Sequence, residues 1–299
     1  MSRRTLIVAL VLSGLFLMTL AGLALAVVGA IRGDTGLVRG DRIALIEVDG
    51  LIADDADYLE QIRRFRKDSS VRGFLVAINS PGGVVGPSQS LYRELRRIRE
   101  EGRPVVAAIG AVGASGGYYV ALAADSIFAM PGSITGSIGV IMEYPEVSGL
   151  MERLGVDMNV VKSAEHKDVG SPFRPLSPAD RQVLEALITD VYDQFVEAVA
   201  EERALSAAEV YRLADGRVYS GRQAIQHGLV DRVGNLQDAL SAVGRMAGLG
   251  DDPQVVRPPR REFTLLDFFL GRGATSSLAK WARPLEQTGG PRLKFVVPF

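Results

Sequence analysis

The sequence of 299 residues contains no cysteine, which excludes disulfide bonds, thiol catalysis and cysteine-ligated metal sites. Histidine is scarce as well, since only His166 and His227 occur, and this limits the groups available for acid–base chemistry. Neither sign of charge is in excess, because 34 Lys and Arg residues face 35 Asp and Glu residues. The composition therefore gives no electrostatic case for binding nucleic acid. The glycine pair Gly82-Gly83 lacks a GxxxxGK continuation, so we expect neither a phosphate-binding loop, nor a metal ion, nor another cofactor.

Charged residues are also absent from Thr5 to Ile31, a run of 27 positions near the N-terminus. A helix of that length, at about 1.5 Å per residue, exceeds the hydrocarbon core of a bilayer. Arg3 and Arg4 precede the run, which by the positive-inside rule holds the N-terminus in the cytoplasm and the rest of the chain outside. The alternative is a signal peptide cleaved after Ala24 to Ala26. The length of the run favours a retained single-pass membrane anchor.

Apolar runs typical of buried parallel strands follow the anchor, at Arg42–Val48, Val71–Ile78 and Pro104–Ile109. The segments between them, Asp54–Lys67 and Pro87–Glu100, carry apolar residues at helical spacing. This alternation predicts an α/β domain with a mostly parallel sheet.

The rest of the chain continues this pattern and then changes character. A further strand is predicted at Asp157–Val161, and a long helix begins at Pro178, which Ser177 caps. We therefore divide the chain into an anchor and linker over residues 1–40, the α/β domain over 41–250 and a tail of unknown role over 251–299. The tail holds two apolar segments, Phe263–Leu270 and Leu293–Phe299, which would leave a large apolar patch if exposed. The membrane surface, the chain's own domain or a neighbouring subunit could cover them. We expect the tail to dock on a neighbouring subunit and occlude its substrate groove; the alternative is a partly disordered tail that contacts the membrane.

Ser115 lies on a glycine-rich turn between the strand Pro104–Ile109 and the helix-like run Tyr118–Ala124. Gly116 and Gly117 permit positive φ and allow another backbone to come close. The free N–H groups at the start of the helix could stabilise an oxyanion, which makes Ser115 a candidate nucleophile. The alternative is a serine that merely caps the helix.

A serine nucleophile needs a base, and the residues alone leave the choice of base open. His166 and Lys167 are adjacent and point opposite ways in an extended chain, so only one would face the serine. His227 comes much later, where it is typical of the C-terminal end of a helix. The loop Pro81–Gly83 follows a neighbouring strand at the carboxyl edge of the predicted sheet, which places it near Ser115.

Four segments occur in an order that resembles the SppA-type signal peptide peptidases, in their short, single-repeat form. They are NSPGG from Asn79, GASGGYYVALAADSIFAMPGSITGSIGVI from Gly113, KSAEHKDVGSPFRPLS from Lys162 and DGRVYSGRQAIQHGLVD from Asp215. The resemblance covers residues 43–248, and several motifs in order are more specific than a lone Gly-x-Ser. It implies a fold of the ClpP and crotonase type.

The resemblance also implies a role for each matching residue. Ser115 would be the nucleophile. Lys167 would be the general base, rather than His166 or Lys162. Ser137, in the TGSIG motif, would hydrogen-bond the lysine amine and orient it.

The glycines of the NSPGG motif would lie beside the oxyanion. Gly83 would donate its N–H together with that of Gly116 or of the nucleophile itself, and Gly82 is the second choice. Gly83 would have no side chain to obstruct the scissile carbonyl. Asp168 and Ser171 match the family's pattern too, and we expect only a supporting role for them.

The function implied is that of a membrane-anchored serine endopeptidase that cuts remnant signal peptides and similar apolar, unfolded segments. Its partners would be peptide substrates, the membrane and further copies of the chain in a ring or dome. Three alternatives stay open: a membrane-protein quality-control peptidase, an inert scaffold that binds apolar peptides, and a crotonase-type acyl-CoA enzyme.

Overall fold

The computed structural model describes residues 12–22, 40–258 and 292–296. The chain divides into two compact units, Met1–Gly40 and Asp41–Phe299. In the first unit, residues 12–22 form helix α1. None of the described helices is both long enough and apolar enough to cross a membrane. The remainder of the run Thr5–Ile31 lies outside the described residues, so the anchor stays a prediction.

The second unit alternates strands and helices from its first residue. Its first half contains β1 (Arg42–Asp49), α2 (Ala56–Lys67), β2 (Val71–Ser80), β3 (Gly82–Val84), α3 (Val85–Glu100), β4 (Val105–Ala114), α4 (Gly116–Ala121), β5 (Ser126–Ala129), β6 (Ile134–Gly136) and β7 (Ile141–Glu143). Its second half contains α5 (Ser148–Leu154), a 3₁₀ helix (Glu165–Asp168), α6 (Pro178–Arg203), α7 (Ala207–Leu213), β8 (Val218–Ser220), α8 (Gly221–Gln226), β9 (Arg232–Val233), α9 (Leu236–Met246), β10 (Val255–Val256) and β11 (Arg292–Val296).

The main sheet has the strand order β10-β1-β2-β4-β5-β9, and every neighbouring pair in that order is parallel. β6 adds to β4 in parallel beyond the end of β5, and β8 pairs antiparallel with β6. The structure therefore confirms the predicted α/β class with a mostly parallel sheet.

Both faces of this sheet are covered, which explains why its strands are apolar almost throughout. On one face, Leu75 of β2 belongs to a buried cluster with Val243 of α9. On the other face, Phe74 of the same strand belongs to a larger cluster with Ile62 of α2 and Leu91 of α3. Successive residues of a strand point to opposite faces, so two buried faces demand an unbroken apolar run.

The strand predicted at Asp157–Val161 is wrong, because residues 156–162 form neither strand nor helix. The prediction also missed α5 and the short strand β3. The large apolar residues of this segment are exposed, and Val161 is fully so. The sequence pattern implied that these residues are buried within a sheet, and the structure shows that they are not.

A second, small sheet is antiparallel and places β11 between β3 and β7. Phe295 lies opposite Gly83, and Leu293 lies opposite Met142. The end of the tail thus pairs with a sheet edge of its own chain, whereas we expected it to dock on a neighbour. The segment Phe263–Leu270 lies outside the described residues.

Candidate active site

Ser115 occupies a sharp turn between the last residue of β4 and the first residue of α4. Its backbone has φ 52° and ψ −117°, a conformation that residues other than glycine seldom adopt and that often marks functional sites. The side chain makes no capping hydrogen bond to the helix, so the capping role is not what the structure shows. Its Oγ is buried without a hydrogen-bond partner in the described part of the chain. A buried hydroxyl left unsatisfied points to a role in binding or catalysis.

Ser137 lies beside Ser115, directly after the neighbouring strand β6. β4 and β6 are parallel and Ala114 is in register with Gly136, so the two serines leave their strands side by side. Ser137 is also buried and also has a positive φ, of 50°. The structure thus brings together two of the residues that the sequence singled out.

The Ser80–Val84 segment reaches the same edge of the sheet, as predicted, with Ser80 in register with Gly113. The N–H of Gly82 donates to Ser80 Oγ at 3.1 Å, so it is not free for a ligand. The carbonyl of Gly82 and the N–H of Val84 both bond to the backbone of Ile52, at 2.9 and 2.8 Å. Because alternate residues of a strand face opposite edges, the N–H of Gly83 points away from Ile52, toward β11. Of the two glycines, Gly83 is therefore the better candidate for an oxyanion donor.

Backbone hydrogen bonds also distinguish the two candidates for the second oxyanion donor, the N–H groups of Ser115 and Gly116. The N–H of Ser115 donates to the carbonyl of Gly136 at 2.7 Å, so the amide of Ser115 itself is not free to bind an oxyanion. Gly116 is the first residue of α4, and the first N–H groups of a helix have no partner within it. This leaves the N–H of Gly116 as the candidate donor on this side of the site.

The structure gives a further reason for glycine at position 83. A Cβ added there would stand 2.1 Å from the carbonyl oxygen of Ile52. The backbone of Ile52 therefore excludes a side chain at this position. A Cβ at Gly117 would similarly stand 2.8 Å from the carbonyl oxygen of Ser80, so α4 is in close contact with the Ser80–Val84 segment.

Gly83→Ala is expected to shift β3 and to lower peptide turnover by about 10²-fold or more, the typical cost of losing one oxyanion donor. The matched control is Gly86→Ala, three residues later in α3, where an added Cβ meets nothing within 4 Å. The control should unfold at the same or a slightly higher temperature and keep its turnover, since alanine is the better helix former. Full turnover in Gly83→Ala would contradict this assignment.

Two of the candidate bases, His166 and Lys167, lie on the 3₁₀ helix Glu165–Asp168, and neither is hydrogen-bonded to Oγ of Ser115, which has no partner in the described part of the chain. Lys167 is exposed, and its amine has no partner among the described residues. His166 is engaged elsewhere, since its Nδ1 lies 2.9 Å from Oδ1 of Asp180. His227 follows α8, and its ring packs edge-on against Tyr219. Sequence reasoning missed Asp180, whose signal is the Ser-x-x-Asp pattern that starts α6.

Arg174 was not predicted from the sequence either, although it lies within the segment that begins at Lys162. Its guanidinium contacts both carboxylates near the 3₁₀ helix, Asp168 and Asp180. Through these hydrogen bonds, Arg174 holds the pKa of each carboxyl well below its usual range. In residues 12–22 and 40–258, no group of three or more His, Asp or Glu side chains is placed to hold a metal ion.

The sequence model described as Peptidase family S49 matches residues 97–249 of this chain, about half of its length. The chain belongs to peptidase family S49. The match includes Ser115, Ser137 and Lys167 and leaves out the Ser80–Val84 segment. The S49 membership confirms the resemblance on which the expected roles depend.

Relatives of this S49 peptidase carry protease names. A protein of Methanocaldococcus jannaschii named as a protease is 34% identical, and the match covers 92% of this chain and 94% of the relative. A protein of Enterococcus faecium named as signal peptide peptidase SppA is 36% identical, over 70% of this chain and 65% of the relative. The chloroplastic serine protease SPPA of Arabidopsis thaliana is 30% identical, over 83% of this chain and 39% of the relative. Among solved structures, a ClpP1 mutant from Listeria monocytogenes aligns with a TM-score of 0.44 and 16% identity, over 64% of this chain and 91% of that one.

Proposed function

We propose that this S49 peptidase is a serine endopeptidase with a Ser115–Lys167 dyad, and that it degrades remnant signal peptides and similar apolar, unfolded segments. One observation carries the proposal: Ser115, on a strained turn, presents a buried hydroxyl that has no partner among the residues that the structure describes. A hydroxyl held in this way is available to a base and to a substrate carbonyl. The neighbouring Ser137 would orient the lysine amine.

The chemistry follows from these groups. The Oγ of Ser115 attacks the scissile carbonyl carbon while its proton passes to the neutral amine of Lys167. The carbonyl oxygen takes the negative charge, and the N–H groups of Gly83 and Gly116 bind it. The lysine then returns the proton to the leaving amine as the C–N bond breaks. Water attacks the acyl-serine ester while one of its protons passes to the amine of Lys167. The lysine then returns this proton to Oγ of Ser115 as the ester C–O bond breaks, which regenerates the serine hydroxyl and releases the peptide acid, which ionises to the carboxylate.

The place of the substrate is suggested by β11, which fills the gap between β3 and β7 as an extended strand. It lies next to α4, and it faces the N–H of Gly83. Peptidases commonly bind a peptide by adding it as a strand to a sheet edge. We propose that a substrate takes the position of β11, with its scissile bond beside Ser115.

The base reaches the serine, in our proposal, from a second copy of the chain. Large apolar side chains are exposed on the segment that leads to Lys167, and a patch of this kind usually marks a protein or membrane contact. They are Leu150, Leu154, Val156, Met158, Val160 and Val161. Packing of this segment on a neighbour would carry Lys167 into the neighbour's site, which is the kind of head-to-tail contact that closes rings.

The location proposed is the extracytoplasmic side of the cell membrane, with the run Thr5–Ile31 as a single-pass anchor. The support is the length of that run and the position of Arg3 and Arg4 before it. N-terminal sequencing of the membrane-extracted protein tests this, because a chain that begins after Ala26 would show that the segment is cleaved.

The deciding experiment is digestion of a synthetic signal peptide by the detergent-extracted chain and by its Ser115→Ala variant. The wild-type chain should cleave the peptide and react with a fluorophosphonate probe at Ser115. The variant should do neither, with turnover lower by about 10⁴-fold or more, as expected on loss of a nucleophile. Binding of the peptide without cleavage or labelling by the wild-type chain would favour the inert scaffold, and tight binding of coenzyme A would favour the acyl-CoA enzyme.

The same assay on a chain that ends at Pro258 tests the position of the substrate. Removing residues 259–299 removes β11, so added peptide no longer competes with a strand of the same chain. The KM for the peptide should fall, because a tethered strand acts at a high effective concentration. An unchanged KM would place the substrate elsewhere.

A further inference from the structure

The side chains of His166 and Asp168, the residues before and after Lys167, are both held by polar contacts. Arg174 connects these two sets of contacts. Nε and Nη2 of Arg174 donate to the two carboxylate oxygens of Asp168 at 3.0 and 2.8 Å. Nη1 donates to Oδ2 of Asp180 at 2.6 Å and to the carbonyl of Pro175 at 3.1 Å. A planar guanidinium thus connects the last residue of the 3₁₀ helix to the first turn of α6.

Asp180 fixes the Arg174 bridge to helix α6. Its carboxylate is only 3% exposed, and its backbone N–H donates to Oγ of Ser177, the N-cap of the 26-residue helix α6. Its other oxygen faces Nδ1 of His166 at 2.9 Å. A carboxylate that loses its partner while buried is costly, so the guanidinium and the imidazole hold Asp180 and are in turn held by it.

Asp168 is tethered from a second direction. The amine of Lys162 lies 2.7 Å from Oδ1 of Asp168, and it also donates to the carbonyl of Glu165 at 2.6 Å. The side chains on both sides of Lys167 are therefore held toward α6, and the lysine between them is left to point outward. This explains in physical terms why only one of the two candidate bases is free to act.

We propose that Arg174 is a positioning residue for the reaction: by bridging Asp168 and Asp180 it fixes the turn that presents Lys167, without itself touching the substrate or Ser115. This inference rests on the proposed function, since it assumes that Lys167 is the base. A bidentate bridge of this kind needs the guanidinium fork, and the point charge of a lysine cannot reproduce it.

The test compares Arg174→Gln and Arg174→Lys with the control Arg181→Gln. Arg181 follows Asp180 on α6, is largely exposed and pairs only with Glu185 among the described residues. Arg174→Gln should lower kcat by about 10²-fold, the order expected when a reacting group is displaced by about 1 Å, with KM changed less than about twofold. Arg174→Lys should fall between Arg174→Gln and wild type. Arg181→Gln should match wild type in kcat, KM and unfolding temperature.

A double-mutant cycle keeps the inference falsifiable if one variant is unstable. Asp180→Asn should lower kcat as much as Arg174→Gln does. The double variant Arg174→Gln/Asp180→Asn should have a kcat little lower than that of either single variant, because both substitutions break the same bridge. Losses that multiply, or a KM effect as large as the kcat effect, would overturn the inference. Lys167→Ala in the same assay separates the two claims. If Lys167→Ala keeps its turnover, the proposed function fails; if it is inactive while Arg174→Gln is fully active, only the positioning role fails.

Discussion

Lys167→Ala is expected to lower kcat by about 10²- to 10⁴-fold, the usual contribution of a general base. His166→Ala should keep most of its turnover, because His166 is held by Asp180 and is not free to face a serine. Turnover by the wild-type chain should rise toward alkaline pH, since only the neutral amine can accept the proton of Ser115. Rate measurements on the same signal peptide across the pH range would check all three statements.

The absence of cysteine makes a more specific version of this experiment possible. In Lys167→Cys the introduced thiol is the only one in the chain, so aminoethylation can rebuild an amine at this position alone. Turnover should return on treatment, and the rise with pH should move to lower pH, because the thioether sulfur draws electrons from the amine. His166→Cys treated in the same way is the matched control and should not change.

Two outcomes would reverse the assignment of the base. One is loss of turnover in His166→Ala while Lys167→Ala stays active. The other is an aminoethylated Lys167→Cys that is labelled completely yet gains no activity, since a rebuilt amine in the correct place should accept the proton.

The main sheet could be predicted from the sequence because strands that are buried on both faces are apolar at nearly every position. β1 and β2 are apolar almost without interruption, and each is followed by an amphipathic helix. α7 (Ala207–Leu213) and α9 (Leu236–Met246) each begin with a side-chain cap that forms a capping box, a start signal that residue types alone supply.

The segment from Ile141 to Ser177 could not be predicted by the same reasoning. Its large apolar residues have no periodicity and none of them is buried, so the strand predicted at Asp157–Val161 is wrong. The charged residues that order the segment, Asp168, Arg174 and Asp180, meet through contacts that only the folded chain specifies. Charge pairs between a turn and a helix carry no spacing rule comparable to that of an amphipathic helix.

Some features of the candidate site could likewise be predicted from the sequence, and others could not. Parallel strands end at one edge, so the sequence could place the Ser80–Val84 segment beside Ser115. The choice between Gly82 and Gly83, by contrast, depends on which N–H donates to Ser80 and which faces β11. Hydrogen bonds of that kind follow from backbone geometry within a few residues, and residue types alone do not determine them.

The position of Lys167 leads to the largest expected effect, the recovery of activity from two inactive chains. In the structure the Lys167 turn is held to α6, while Ser115 keeps an unpartnered hydroxyl in the described part of the chain. If the base comes from a neighbouring copy, a site needs Ser115 from one chain and Lys167 from another. Ser115→Ala and Lys167→Ala should then each be inactive alone and active together.

Co-expression of the two variants with different tags, followed by purification through both tags, gives the mixed assembly for assay. Chance pairing of equal amounts in a head-to-tail ring leaves about one site in four with both intact residues, so turnover should return to about a quarter of the wild-type rate. The matched control replaces Ser115→Ala by the double variant Ser115→Ala/Lys167→Ala, which supplies neither group and should restore nothing. Mixed assemblies of verified mass that stay as inactive as their parents would show that serine and lysine must belong to one chain, and that the turn carrying Lys167 has to move within it.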